Sequence, residues 1–338
     1  MALTRARAVN TSSSLLDYQG TALDGYFVVH SPTYSVQHGV RGFLVDGKTD
    51  QAVALMKQLK VYPLAQAADP PAMEFLNGSR QHIDTLYSDN VSFFEALAQL
   101  VNEEPAEAFG PLERFQMQSL GIVHGAPFQP DARMRALLEE AARLGGAMAR
   151  TNSFDSRDPR VRNYSDRQWL TFAFEDVPYT FLEDSVPQVD LRAYAYYMGI
   201  GNSPAMMEKH VGVGSQYLWT THDQAGNYLD GAKTYRLHIL PNVPVNNFWS
   251  VVVYDAQSRS MLQNGTRFPS VSQYTGPVVN TDGSVDITFG PSLPAGVSRQ
   301  NFIKTEPDVG WFTIFRFYGA LPPYFDHSWK LEDIVEVR

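Results

Sequence analysis

Near Tyr217 the hydrophobic repeat of this chain changes, and that change limits its fold more than any other feature. Before it, apolar residues recur every three or four positions in stretches ended by Pro or Gly. After it they alternate, or run unbroken over strand length. Residues 217–221, 234–240, 248–254 (FWSVVVY), 285–289 and 311–318 (WFTIFRFY) read as strands. Asp223-x-x-Gly226 and Asn280-Thr-Asp-Gly283 supply turns, and no helical pattern intervenes. Strands without interleaved helices pair as antiparallel sheets. The expectation for 217–338 is an antiparallel β-sandwich of jelly-roll type, with 248–254 in the middle of a sheet.

Upstream the pattern is helical. Thr49 is placed to cap a helix over 50–60, with Val53, Met56 and Leu59 on one side and Pro63 as the stop. Ser92 and Glu95 form an S-x-x-E capping box, followed by an apolar face of Phe93, Phe94, Leu97, Leu100 and Val101. Pro111 opens a third helix closed by Gly121. Asp131 caps a longer one, with Met134, Leu137, Leu138, Ala141 and Met148 inward. Asp190 caps a helix through Arg192 and Tyr196 to Gly199. Short strands are expected at 25–32 and 40–45. The class is α+β: a short β segment over 1–48, a mainly helical connector over 49–216, and the β-domain over 217–338.

Charge and composition exclude several functions. The 338 residues carry a formal net charge of −9 and no run of Lys or Arg, so neither nucleic acid nor an anionic membrane surface is an expected partner. No stretch approaches the roughly 18 apolar residues of a membrane span. The N-terminus as written lacks the apolar segment of a secretory signal, which favours the cytoplasm. With no cysteine, thiolate nucleophiles and thiolate metal sites are ruled out. G-x-S-x-G, H-E-x-x-H and Walker motifs are all missing, and Gly212-Val-Gly214 lacks the third glycine of a dinucleotide loop. No two of the eight histidines stand at i, i+2 or i, i+4. The expectation is therefore no cofactor and no metal.

Arg316 is the most informative single residue. Along 311–318, Phe312, Ile314, Arg316 and Tyr318 share one face of the strand and Trp311, Thr313, Phe315 and Phe317 the other. Both faces are aromatic, so the guanidinium lies against buried surface and needs an anionic or carbonyl partner. Two readings follow: an internal ion pair, for instance with Asp255 or Asp286, or an anion-binding group in an aromatic cavity. Arg236 and His238 alternate with apolar residues and face water.

Spaced motifs carry a family resemblance. Asp223-x-x-Gly226-x-x-Leu229-Asp230-Gly231-x-x-x-Tyr235 comes first. Pro244-x-x-x-Phe248-Trp249-Ser250-x-x-x-Tyr254-Asp255 follows, then Asn264, Asp282-Gly283-Ser284, Asn301, Arg316-x-Tyr318 and Trp329. In this order they resemble proteins that pair the domains of unknown function twelve-fifty-four and twelve-fourteen. Upstream, His30-Ser31-Pro32-Thr33, Val45-Asp46-Gly47 and Asp190-x-Arg192-Ala193 are similar to the end of the first domain and its helical connector. The resemblance implies that 1–48 is a remnant of a shortened first β-domain. It also singles out Arg192, Trp249, Tyr254, Asn301 and Arg316 as candidate substrate-binding residues. An aromatic-lined β-scaffold with sparse polar groups suits a small-molecule ligand. The expected activity is cofactor-free hydrolysis, elimination or isomerisation of an organic or sugar-like substrate. The alternatives are a non-catalytic, homo-oligomeric binding or scaffold protein, and a divergent family member without activity.

Overall fold

The computed structural model describes residues 31–35, 42, 48–78, 81, 86–172, 174, 177–199, 207 and 209–337. Apart from Ser31, Pro32 and Gly42, the strands expected over 25–32 and 40–45 lie outside these residues. The chain forms two compact units, Met1–Gly145 and Gly146–Arg338.

Among its described residues the first unit is mainly helical. It holds α1 (Asp50–Met56), α2 (Ser92–Glu103), α3 (Pro111–Ser119) and the start of α4 (Ala132–Phe154). Phe94, Ala98 and Val101 of α2 pack on Met117, Ile122 and Leu138. Asp131 caps as expected, its Oδ1 accepting from the Met134 amide at 2.7 Å. Three expectations need correction. α1 ends four residues early and Thr49 makes no side-chain cap. None of its residues is buried, and a short helix without packing has little to offset its nucleation cost. The Ser92/Glu95 capping box does not form: Ser92 donates to Asn90 Oδ1 at 2.6 Å, and Glu95 pairs with Arg135 at 2.8 Å. On α4, Leu138 is buried but Leu137 and Met148 are exposed. The inward stripe is narrower than the sequence periodicity implies.

The second unit has three layers. Strands β1 (Leu170–Thr171), β4 (Ser215–Thr220), β6 (Val245–Asp255), β7 (Ser270–Ser272) and β10 (Trp311–Ala320) form one sheet in the order β1-β4-β10-β6-β7. Strands β5 (Tyr235–Ile239), β8 (Val285–Gly290), β9 (Phe302–Lys304) and β11 (Ile334–Glu336) form a second in the order β11-β5-β8-β9. A small hairpin joins β2 (Leu182–Glu183) and β3 (Val186–Pro187). Pairing is antiparallel except between β8 and β9, which run parallel. That pair departs from the all-antiparallel expectation.

The two large sheets enclose one core. Leu218, Trp249, Val251, Val253, Phe315 and Phe317 of the first sheet meet Tyr235, Leu237, Ile287, Phe289, Ile303 and Ile334 of the second. A second core lies on the opposite face of the first sheet. There Trp219, Val252, Tyr254 and Phe312 are covered by Phe154, Phe174, Phe181 and by Leu191, Tyr194 and Ala195 of α5 (Val189–Gly199). The first sheet is thus buried on both faces, which is why its central strands are apolar without alternation. A buried hydrogen-bond chain fixes the helical layer to the sheet. Trp219 Nε1 donates to Tyr194 Oη, which donates to the Thr171 carbonyl, both at 2.8 Å. A last short helix, α6 (Pro322–Phe325), follows β10.

Candidate functional site

Register places the site. In antiparallel pairing, directly opposed residues project from the same face. Arg316 on β10 stands opposite Tyr217 on β4 and Ser250 on β6. Ser250 in turn faces Ser272 on β7. Tyr318 is opposed to Ser215 and Phe248, and Phe312 to Tyr254. All project from the sheet face that carries the second core. One half of this face is apolar and covered. The other half carries partly exposed Ser, Tyr and Phe side chains, and Arg316 stands at the boundary.

The guanidinium lies among phenols. Arg316 Nη2 donates a short hydrogen bond to Tyr254 Oη, and Nη1 makes a long 3.5 Å contact to Tyr318 Oη. Its carbon sits 5.7 Å from the Tyr217 ring centroid and 6.0 Å from that of Tyr254, within cation–π range. The rings are themselves fixed. Tyr254 stacks on Phe312 at 5.1 Å, and Tyr318 stacks on Phe248 at 4.0 Å, with Tyr274 against Phe248 at 4.7 Å.

Arg316 Nε is buried with no hydrogen-bond partner, and among the described residues Arg316 has no ion pair. Neither carboxylate named for the internal pair serves it. Asp286 is taken by His238 at 2.8 Å and by Arg236 at 4.0 Å. Asp255 accepts the amides of Gln257 and Ser258 at 2.6 and 2.7 Å.

Electrostatics favour a protonated Tyr254 and a charged Arg316. Burial pushes the Tyr254 phenol above its ordinary value, and the pull of the Arg316 charge does not cancel this. Burial alone would lower Arg316, but Tyr254, Tyr318 and Tyr217 outweigh it and hold the group above its ordinary value. The Tyr254 phenol is therefore held protonated beside a charged guanidinium. A phenol oxygen that accepts from Arg316 keeps its own O–H to give. The cluster therefore has a surplus of donors and a shortage of acceptors.

The five sequence candidates separate. Arg316 and Tyr254 meet. Arg192 is half-buried on α5, the helix that covers the Tyr254 end of the same face. Trp249 points the opposite way, into the core between the sheets, stacked on Phe315 at 5.6 Å. Asn301 is buried and ties the loop at Val278 to β8. Its Nδ2 donates to the carbonyls of Val278 and Asp286 at 2.9 and 2.8 Å, and its Oδ1 accepts the Val278 amide at 2.7 Å. The sequence reading missed Tyr217 as a site residue and used Tyr318 only as a motif position. The i, i+2 relation of Arg316 to Tyr318 was available; the cross-strand place of Tyr217 required the register.

The chain is similar in fold to the VPA0106 protein from Vibrio parahaemolyticus, with a TM-score of 0.50 and 18% identity over 96% of this chain and 74% of that one. An uncharacterized protein from Burkholderia cenocepacia aligns with a TM-score of 0.28 and 14% identity over 73% of this chain and 50% of its own. No curated protein sequence matches the chain. The Arg316 cluster, the Leu229-Asp230-Gly231 motif and the three inner strands of the first sheet lie within residues 214–322, and those residues carry a domain of the family described as Protein of unknown function (DUF1214).

Proposed function

We propose that this chain binds a small organic anion at Arg316, with Tyr217, Tyr254 and Tyr318 as the walls of the site. One observation carries the reading: a half-buried arginine whose described polar neighbours are phenols, with its Nε buried and unsatisfied. Buried charges are ordinarily paired, and a carboxylate accepts from a guanidinium in bidentate fashion. Aromatic walls and a single cation suit a planar monoanion, such as an aromatic carboxylate, over a compact dianion.

Where the ligand is turned over, the chemistry is acid–base without a cofactor: hydrolysis, elimination or isomerisation. Tyr254 is protonated at neutral pH and fits the role of proton donor. The same proposal takes in the finer architecture. The chain passes back and forth between the two sheets from β4 to β11, which supports a jelly-roll-like winding. The order of the upstream motifs supports a relation to the domain twelve-fifty-four.

Ligand-observed NMR with benzoate tests the reading. Wild-type protein should broaden the benzoate signals, Arg316→Met should not, and Tyr254→Phe should weaken the effect. Equal broadening by wild type and Arg316→Met, or none by wild type at millimolar benzoate, would remove the basis for this site.

A further inference from the structure

The row of residues that carries Arg316 continues past it. The register of the first sheet sets Tyr217 of β4, Arg316 of β10, Ser250 of β6 and Ser272 of β7 in one line on one face. Adjacent strands lie about 4.8 Å apart, so the two serines stand roughly one and two strand spacings from the arginine. Along β6 this face is Phe248, Ser250, Val252 and Tyr254, and Ser250 is its one aliphatic hydroxyl. The Ser250 side chain makes no hydrogen bond among the described residues, and Ser272 beside it is half-buried.

The flanking rows offer rings and methyl groups. On one side Tyr318 of β10 is opposed to Phe248 of β6, and the two rings stack at 4.0 Å with an interplanar angle of 14°. Tyr274 extends this row at 4.7 Å from Phe248 and is 76% exposed. On the other side Ile314 is opposed to Val252. A lane of hydroxyls thus leads away from the guanidinium between an aromatic row and an aliphatic one.

We propose that the ligand held at Arg316 is a hydroxylated aromatic monocarboxylate, para-hydroxybenzoate in its simplest form. Its carboxylate meets the guanidinium, its ring lies across β6 along Phe248, and its hydroxyl falls between Ser250 and Ser272. This inference rests on the anion-binding reading of Arg316 and adds the group that the ligand carries at its far end. The para oxygen of such a ring lies a little more than one strand spacing beyond the carboxylate carbon, which is the place of the two serines. A serine hydroxyl both gives and accepts, so the pair accepts the phenol proton and donates to the phenol oxygen. A sugar acid has the same charge and more hydroxyls. Its ring is not flat, however, and its other hydroxyls would be desolvated against Phe248 and Val252, where nothing polar answers them.

Titration calorimetry of the full chain with benzoate, para-hydroxybenzoate, para-methylbenzoate and glucuronate tests the assignment. Wild type should bind para-hydroxybenzoate roughly threefold to tenfold more tightly than benzoate, the worth of one hydrogen bond. Para-methylbenzoate has nearly the same shape and no hydrogen bond to offer, and should not reproduce this gain. Glucuronate should bind more weakly than para-hydroxybenzoate. In the double variant Ser250→Ala, Ser272→Ala the ratio of the para-hydroxybenzoate and benzoate affinities should fall to about one. The ratio is read within one protein, so a general weakening of the variant does not imitate the result. Wild type that binds benzoate and para-hydroxybenzoate equally overturns this assignment and leaves the Arg316 reading standing, whereas wild type that binds neither removes both. A preference that survives in the double variant, or that para-methylbenzoate matches, also overturns it, as does tighter binding of glucuronate.

Discussion

Replacing Arg316 by Met separates a binding arginine from a structural one, because the two roles predict different stabilities. The substitution gives up the hydrogen bond to Tyr254 and the long contact to Tyr318. Hydrogen bonds to charged groups are worth about 1.5–3 kcal/mol each at good geometry, and only the first has a short contact. Against this stand the desolvation of a buried charge, several kcal/mol, and the unsatisfied Nε, about 1–3 kcal/mol. Methionine keeps the length of the chain and packs well on the Tyr217 and Tyr254 rings. The substitution also gives up cation–π attraction to the Tyr217 and Tyr254 rings, about 1–2 kcal/mol each when partly desolvated, and with that loss included the opposing effects balance to within about 1 kcal/mol. For a unit the size of Gly146–Arg338 that is a melting shift of no more than about 4 °C. All five tryptophans, at 169, 219, 249, 311 and 329, lie in this unit, so tryptophan fluorescence follows its melting without signal from the helical unit. Benzoate should raise the melting temperature of wild type and not of the variant. If Arg316 instead neutralises a buried acid, its removal strands that acid at about 3–5 kcal/mol, and the melting temperature falls by roughly 6–20 °C. A drop above about 10 °C would refute the argument.

Two further predictions address the scaffold. A Cβ on Gly231 would lie 1.8 Å from the Glu306 carbonyl oxygen and 2.7 Å from that of Val309, both backbone. Gly231→Ala should therefore cost about 3 kcal/mol or more, and an unchanged tryptophan melting curve would show that the 305–309 segment yields. In the helical unit, the buried Glu104 carboxylate accepts the Tyr34 amide at 2.6 Å and the Ser35 amide at 3.1 Å. Burial alone would raise its pKa, but hydrogen bonds from Ser35 and Tyr34 outweigh this and hold it below its ordinary 4.5. A lowered folded-state value contributes stability that is complete above about pH 4.5 and lost as pH falls through it. Hydrogen-exchange protection of the Tyr34 and Ser35 amides should fall below that pH in wild type and be low throughout in Glu104→Gln. Protection that is the same in both proteins at every pH would sink the assignment.

The strands were legible because their side chains obey a local rule. Runs such as FWSVVVY and WFTIFRFY need burial on both faces, and the first sheet provides it. Strands β7, β9 and β11 were not legible. Each has three residues, too few to show a period, and each is held by the ladder it joins. The capping box at Ser92 misled because its residues found other partners, Asn90 and Arg135. A short motif states what a segment is able to do when nothing else competes for its side chains.

The candidate site shows the same division more sharply. That Arg316 is out of place could be read from its strand alone. A strand buried on both sides has no solvent face on which to leave a charge, so a charge there requires a partner. Which partner it has depends on the register of β4, β6 and β10, whose site residues lie 62 and 99 positions from Arg316 at Tyr254 and Tyr217. No local pattern encodes that register. It follows from fitting two apolar faces at once, because a one-residue slip would turn Trp219, Phe312 and Val252 away from α5 and send Arg316 into the core between the sheets. The packing of the second core therefore fixes the tyrosines around the guanidinium, and a substitution that loosens that core, far from any ligand, should degrade binding at Arg316 before it unfolds the sheet.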